Sequence, residues 1–123
     1  MGNNIEFNEL VESAASYAGN LYNGLEKIVN NLREDNVRTG LSMFADATEG
    51  IDWLIQAASI ISNSDYDKFD IEPMKGHFAE MNESAENMDY VLLTDLIEYE
   101  MLPIVEDWGD RLDVILDRIK EED

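Results

Sequence analysis

The amino-acid sequence predicts an all-α fold, an up-down-up-down four-helix bundle whose last helix is kinked by a proline. Apolar residues recur at alternating steps of three and four along most of the chain, the spacing that places them on one face of a helix. No segment of convincing length alternates between apolar and polar residues as a strand would. Only two prolines and seven glycines interrupt the 123 residues, so the helices should be long and the turns short. A chain of this length is expected to form a single domain, 1–123.

The first helix is predicted over residues 4–34. Asn3 or Asn4 is expected to cap its beginning. Gly19 and Gly24 lie inside the helix, where each either lowers its stability or lets a neighbouring helix approach closely. The core face is formed by Phe7, Leu10, Ala14, Ala18, Leu21, Leu25, Ile28 and Leu32.

The second helix is predicted over residues 36–62. Asp35 or Asn36 is its expected cap. The polar run Ser62–Asp65 is a stop signal, because these residue types favour turns. The core face is formed by Val37, Leu41, Phe44, Thr48, Ile51, Ile55 and Ala58.

The third helix is predicted over residues 71–87, with Pro73 in its first turn, where the missing N–H is harmless. An alternative is a helix that begins near Asp65 and bends at Pro73. The apolar stripe of this helix is formed by Met74, Phe78, Met81, Ala85 and Met88.

The last helix is predicted to follow a cap at Asp89 and to run to the acidic end of the chain. Pro103 lies inside its apolar pattern. Because proline lacks a backbone donor and crowds the preceding turn, we expect a kink at residues 99–103.

Two stretches of the chain have a distinctive pattern, DYVLLTDLIEYEMLP at Asp89–Pro103 and TEGIDWL at Thr48–Leu54. In both stretches the chain resembles a group of small acidic helical proteins from Firmicutes that form a domain of unknown function. The resemblance implies a helical fold and a bacterial origin. It implies no activity, and it assigns no role to any residue.

Charge and composition exclude several classes of partner. The chain carries 28 acidic and 8 basic residues, a formal charge of −20. This argues against nucleic acid, which is bound through a Lys/Arg footprint, and against anionic membrane surfaces. There is no cysteine, which excludes a disulfide framework and a cysteine-ligated zinc. The sequence shows neither an apolar run of membrane-spanning length nor the layout of a signal peptide, so we expect a cytoplasmic protein.

Pairs of carboxylates three residues apart suggest one route to enzyme chemistry. The candidates are Glu49 and Asp52, Glu80 and Glu83, and Asp95 and Glu98. Carboxylates that converge from neighbouring helices hold Mg²⁺ in all-α nucleotide pyrophosphohydrolases, so a divalent-metal-dependent enzyme of that kind is the alternative function. The pattern departs from that family in two ways: Asp95 and Glu98 stand in reverse order, and no basic cluster is near to hold a triphosphate. A solvated helix face explains the same spacing.

The methionines and aromatic residues of the last two helices are the candidate partner-binding residues. Methionine adapts to irregular surfaces, and aromatic side chains line grooves that accept helices. The candidates are Met74, Met81, Met88, Tyr90, Tyr99 and Trp108. Packing in the core is the other explanation for the same stripe.

Together with the acidic charge, these residues make a non-catalytic protein-interaction module the leading hypothesis. It would act as an adaptor or a chaperone and bind a basic or amphipathic segment of another protein. No cofactor is implied. Self-assembly into a homodimer is an alternative that the sequence leaves open.

Overall fold

The computed structural model describes residues 5–122, which form helices and no strand. Its elements are α1 (Ile5–Arg33), α2 (Val37–Ile61), α3 (Ile71–Glu86), α4 (Tyr90–Asp95), a π-helical turn (Leu96–Met101) and α5 (Leu102–Glu122). The last three follow one another without a break and form the fourth rod of a helical bundle. The predicted all-α bundle is confirmed, and the first three helices begin and end within one residue of the predicted bounds. The caps predicted at Asn3 and Asn4 lie outside the described residues.

The core lies between α1 and the rods on either side of it. α1 packs along α2 and along α5, while α3 packs against α2, α4 and the π-helical turn. The apolar stripes predicted for α1 and α2 face this interior. The largest fully buried side chains come from all four rods, namely Leu25, Ile28, Ile51, Leu54, Ile61, Met74, Met81, Leu93, Ile97, Met101, Leu112 and Ile115. None of the helices within residues 5–122 is long and apolar enough to cross a membrane.

The helix caps agree in part with the sequence predictions. Asp89 precedes α4, and its Oδ1 accepts a hydrogen bond from the backbone N–H of Leu92 at 3.1 Å, as predicted. Asn36 holds the cap position of α2, but its side chain makes no capping hydrogen bond. Asp70 caps α3, so that helix begins at Ile71 with Pro73 in its first turn. The alternative start near Asp65 is therefore wrong.

Gly50 is one point of close approach between α1 and α2. The phenol of Tyr17 lies over its backbone, so that a Cβ added at Gly50 would fall 1.4 Å from the Tyr17 hydroxyl oxygen. The prediction that Gly19 and Gly24 admit a neighbouring helix is wrong, because a Cβ at either position would meet nothing within 4 Å. Gly19 is exposed and Gly24 is half-buried.

A nine-residue loop between α2 and α3 is fixed to α5 by cation and aromatic contacts. Nε and Nη2 of Arg111 donate to the carboxylate of Asp67 at 2.9 and 3.0 Å. The same guanidinium lies 4.5 Å above the ring of Phe69, which packs edge-on against Trp108 with ring centres 5.4 Å apart. Phe69 and Trp108 are both buried. The loop thus covers the part of α5 that the short α3 does not reach.

The backbone widens just before Pro103. In the π-helical turn Leu96–Met101, the N–H of Leu102 donates to the carbonyl of Ile97, five residues back. Proline has no N–H of its own, so a local change of helix type next to Pro103 is physically reasonable. The kink at residues 99–103 stays a prediction.

Candidate partner-binding groove

Three of the predicted partner-binding residues belong to the core. Met74 and Met81 are completely buried and Trp108 is 2% exposed. The stripe of α3 that contains the two methionines packs inside the bundle, and Trp108 is covered by Phe69 from the α2–α3 loop. These three side chains do not reach the surface, and the prediction is corrected for them.

The other three predicted residues lie at or near the surface. Met88 is 72% exposed and Tyr99 is 65% exposed, while Tyr90 is half-buried. Met88 and Tyr90 line one groove together with Val91, which is 76% exposed. Tyr99 lies outside that lining.

This groove lies where the α1–α2 turn and the α3–α4 turn meet at one end of the bundle; we call it the turn groove. Its volume is about 530 Å³. Apolar and aromatic groups line it from both turns, and three aspartates, one arginine and one threonine complete the lining. The full set is Leu32, Arg33, Asp35, Val37, Met88, Asp89, Tyr90, Val91, Thr94 and Asp95.

The two turns that form the groove share one backbone geometry. The N–H of Asn36 donates to the carbonyl of Asn31 at 2.8 Å, and the N–H of Asp89 donates to the carbonyl of Ser84 at 2.8 Å. Each of these hydrogen bonds closes a six-residue turn, as in a Schellman motif. That motif needs a residue with the left-handed backbone conformation just after the helix. Asp35 and Met88 take that position, with φ of 63° and 57°. Each turn therefore ends one helix and starts the next within a few residues.

The charge of the turn groove is set by its aspartates. Asp35, Asp89 and Asp95 are exposed, and none of them forms an ion pair with another residue of the range 5–122. Arg33 is the basic residue of the lining, and its Nη1 and Nη2 donate to the two carboxylate oxygens of Glu98 at 2.6 and 2.8 Å. The hydrogen bond from Arg33 lowers the pKa of Glu98, and the same bond raises the pKa of Arg33. Glu98 thereby balances the positive charge of Arg33, and the groove remains acidic.

The carboxylates of the enzyme hypothesis do not assemble. Within residues 5–122, no group of three or more His, Cys, Asp or Glu side chains is placed to hold a metal ion. Glu49, Asp52, Glu80, Glu83 and Asp95 are exposed on their helices. Glu98 is half-buried and is engaged by Arg33. The arrangement provides no converging oxygen set of the kind that Mg²⁺ prefers.

A second groove of about 520 Å³ lies between α1 and α2 around Tyr17 and Trp53. The two rings pack edge to face with centres 5.9 Å apart, and Trp53 is 38% exposed. The rest of this lining is polar, formed by Glu12, Ser13, Ser16 and Asn20. Among the described residues, its lining includes no exposed aliphatic group, which distinguishes it from the turn groove.

Sequence reasoning missed Val91 and Arg33 as groove residues. The run Val91-Leu92-Leu93 does contain a signal for the first of them, because successive residues of a helix point about 100° apart and three in a row cannot share one buried face. Leu93 is buried, whereas Val91 and Leu92 are exposed. The pairing of Arg33 with Glu98 joins residues 65 positions apart and has no local signal.

The turn groove falls inside a stretch shared with other proteins. A family model described as a domain of unknown function, DUF8042, matches residues 9–111 of the chain. No curated protein and no solved structure matches.

Proposed function

Because the chain belongs to the DUF8042 family, a domain of unknown function, we propose a function from the features of its own surface. The protein is a non-catalytic interaction module that binds a basic amphipathic segment of another protein in the turn groove. The observation that supports this is that one groove combines exposed aliphatic side chains with aspartates that form no ion pair within residues 5–122. Met88 and Val91 supply the apolar part, and Asp35, Asp89 and Asp95 supply the charge.

The apolar part of the groove favours contact with a partner. Met88 and Val91 are 72% and 76% exposed, at neighbouring positions of one turn. Fully burying a side chain of this size contributes about 1.5–3 kcal/mol, so both side chains help to hold a bound segment. Methionine is unbranched and polarisable, which lets it adapt to the shape of the incoming side chain.

The charge of the groove and of the whole chain selects a basic partner. With a formal charge of −20, the protein attracts cations over long range and repels another copy of itself. This argues for a basic segment as the occupant and against a homodimer formed through the turn groove. A volume of about 530 Å³ accepts a few side chains from one face of a helix. Leucine and lysine at helical spacing are the residues that fit.

Binding of a designed peptide tests this proposal. The probe is a fluorescently labelled helix of about four turns, with leucines on one face and lysines on the other, measured by anisotropy at low and high salt. A scrambled peptide of the same composition has the same charge and no apolar face. We expect the amphipathic peptide to bind at least about tenfold more tightly than the scrambled one, and its affinity to fall as salt rises.

Variants of exposed aliphatic residues locate the binding surface. Met88→Ser with Val91→Ser should weaken binding of the amphipathic peptide by about tenfold or more, because both apolar contacts are lost. Val114→Ser is the matched control, since Val114 is 58% exposed on α5 and outside the turn groove. Equal losses in the two variants, or equal affinity for the two peptides, would contradict the proposal.

A further inference from the structure

The Arg33–Glu98 pair connects the turn groove to the π-helical turn. Arg33 ends α1 and lines the groove, whereas Glu98 belongs to the turn Leu96–Met101. Both guanidinium Nη atoms donate to Glu98, one to each carboxylate oxygen, at 2.6 and 2.8 Å. Such a two-point pair fixes the direction of the arginine as well as its charge.

We infer that Glu98 is a positioning residue that keeps the turn groove selective for basic partners by holding Arg33 away from the groove's aspartates. The inference rests on the proposed function and names what sets the specificity of the same site. Glu98 itself is not part of the groove lining. It acts through Arg33, which lines the groove.

The acids that a released Arg33 would meet lie close by. Asp35 follows Arg33 by two residues and lines the same groove. Asp95 lies three positions before Glu98 on the same helical rod and lines the groove together with Arg33. A free guanidinium at Arg33 would therefore pair with one of these aspartates, lower the negative charge of the groove and repel a partner's lysine. The bond to Glu98 prevents this.

The first test compares two charge losses in the π-helical turn. Glu98→Gln removes the charge and one of the two acceptor oxygens that hold Arg33, and we expect it to weaken binding of the lysine–leucine peptide by about tenfold. Glu100→Gln is the matched control, because Glu100 lies in the same turn, is exposed and has His77 rather than Arg33 as its neighbour, at 3.4 Å. It removes the same charge, and we expect a loss of less than about twofold.

The second test uses a substitution that leaves the net charge of the protein unchanged. Arg33→Lys keeps the cation but replaces the planar fork with a single ammonium, which cannot make the two-point bond. We expect it to weaken peptide binding by about threefold to tenfold. In an Arg33→Met background, Glu98→Gln should have less than about twofold effect, because no cation is left to release.

A further readout separates positioning from a loss of stability. The ratio of affinities for the lysine peptide and for a version with glutamine in place of lysine should fall in Glu98→Gln and in Arg33→Lys. Their thermal midpoints should stay near that of the unmodified protein, since the pair lies at the protein surface and surface pairs contribute about 0–1 kcal/mol.

The outcomes are distinguishable from those of the proposed function. Equal losses in Glu98→Gln and Glu100→Gln, or unchanged binding in Arg33→Lys, would overturn the positioning role while leaving the groove as a binding site. The positioning role would also be overturned if Glu98→Gln weakened binding equally with and without Arg33. Absence of peptide binding by the unmodified protein would overturn the proposed function and this inference together.

Discussion

Asp35 and Met88 adopt the same left-handed backbone conformation, φ 63° and 57°, at equivalent positions of the two turns that meet at one end of the bundle. Glycine and asparagine are the residues that this position favours, and aspartate is tolerated there. Methionine has no side-chain group that compensates for the conformation. Its 72% exposure shows that it is not kept for core packing. A strained position with an exposed apolar side chain is consistent with a binding role.

Replacing Met88 by glycine should separate backbone strain from binding. Relief of the left-handed conformation should leave the free energy of unfolding unchanged or raise it by up to about 1 kcal/mol. Peptide affinity should fall, because an apolar contact in the turn groove is lost. Urea denaturation and anisotropy measure the two effects. Asp35→Gly is the control for the backbone and should change stability in the same direction. A loss of stability well above 1 kcal/mol in Met88→Gly would mean that the side chain is needed for the fold.

The buried methionines should respond very differently from Met88. Met81 is completely buried, so Met81→Ala should lower the free energy of unfolding by about 2–5 kcal/mol. Met88→Ala should change it by no more than about 0.5 kcal/mol, since the side chain is exposed. Urea denaturation of both variants measures this. Similar values for the two would show that the assignment of Met81 to the core is incorrect.

Gly50 should not tolerate a side chain. A Cβ there would lie 1.4 Å from the hydroxyl oxygen and 2.2 Å from Cζ of Tyr17, so the whole ring must move, and Tyr17 also packs against Trp53. We expect Gly50→Ala to lower the free energy of unfolding by about 1–3 kcal/mol. Gly19→Ala is the matched control, because nothing lies within 4 Å of its added Cβ. It should stabilise α1 by about 0.5–1 kcal/mol. Stabilisation by both substitutions would contradict this packing of Tyr17.

The loop that covers α5 should make stability sensitive to acid. The hydrogen bond from Arg111 lowers the pKa of the Asp67 carboxyl below its ordinary value. A lowered pKa in the folded state means that the stabilisation is complete above the unfolded pKa of about 3.9 and is lost as the pH falls through the lower, folded value. Unfolding midpoints in urea between pH 5 and pH 2.5 measure it.

Two variants break this pair from opposite sides. Asp67→Asn and Arg111→Met should each reduce the acid-dependent part of the stability, because neither retains the charged pair. Arg111→Met should also lower stability at neutral pH by about 1–3 kcal/mol, since it leaves the Asp67 carboxylate without its donor and removes the contact with Phe69. An acid dependence in Asp67→Asn as steep as in the unmodified protein would contradict the role of the pair.

The number and bounds of the first three helices could be predicted from the sequence, because their cores depend on local periodicity and turn-forming residues. The burial of Met81 and the exposure of Met88 could not. Both belong to one stripe, and only the position at which α3 ends and the chain turns leaves Met88 outside. The π-helical turn was also not predicted, since its apolar pattern is that of an ordinary helix. Only its hydrogen bonding differs, because the N–H of Leu102 donates to a carbonyl five residues back instead of four.

The candidate site depends even more on tertiary structure. The turn groove combines residues of two turns more than 50 positions apart in the chain, from Asp35 to Met88 and Val91. The bond between Arg33 and Glu98 likewise crosses from α1 to the last rod. Charge alone predicted a basic partner, but it gave no location for the contact.

The most direct test of the proposed function is a map of amide chemical shifts in the ¹⁵N-labelled protein during titration with the unlabelled lysine–leucine peptide. Binding in the turn groove predicts that the largest changes fall in the two turns, at residues 32–37 and 88–95, and that they saturate together. Largest changes around Trp53, along α5 or spread evenly over the acidic surface would contradict it.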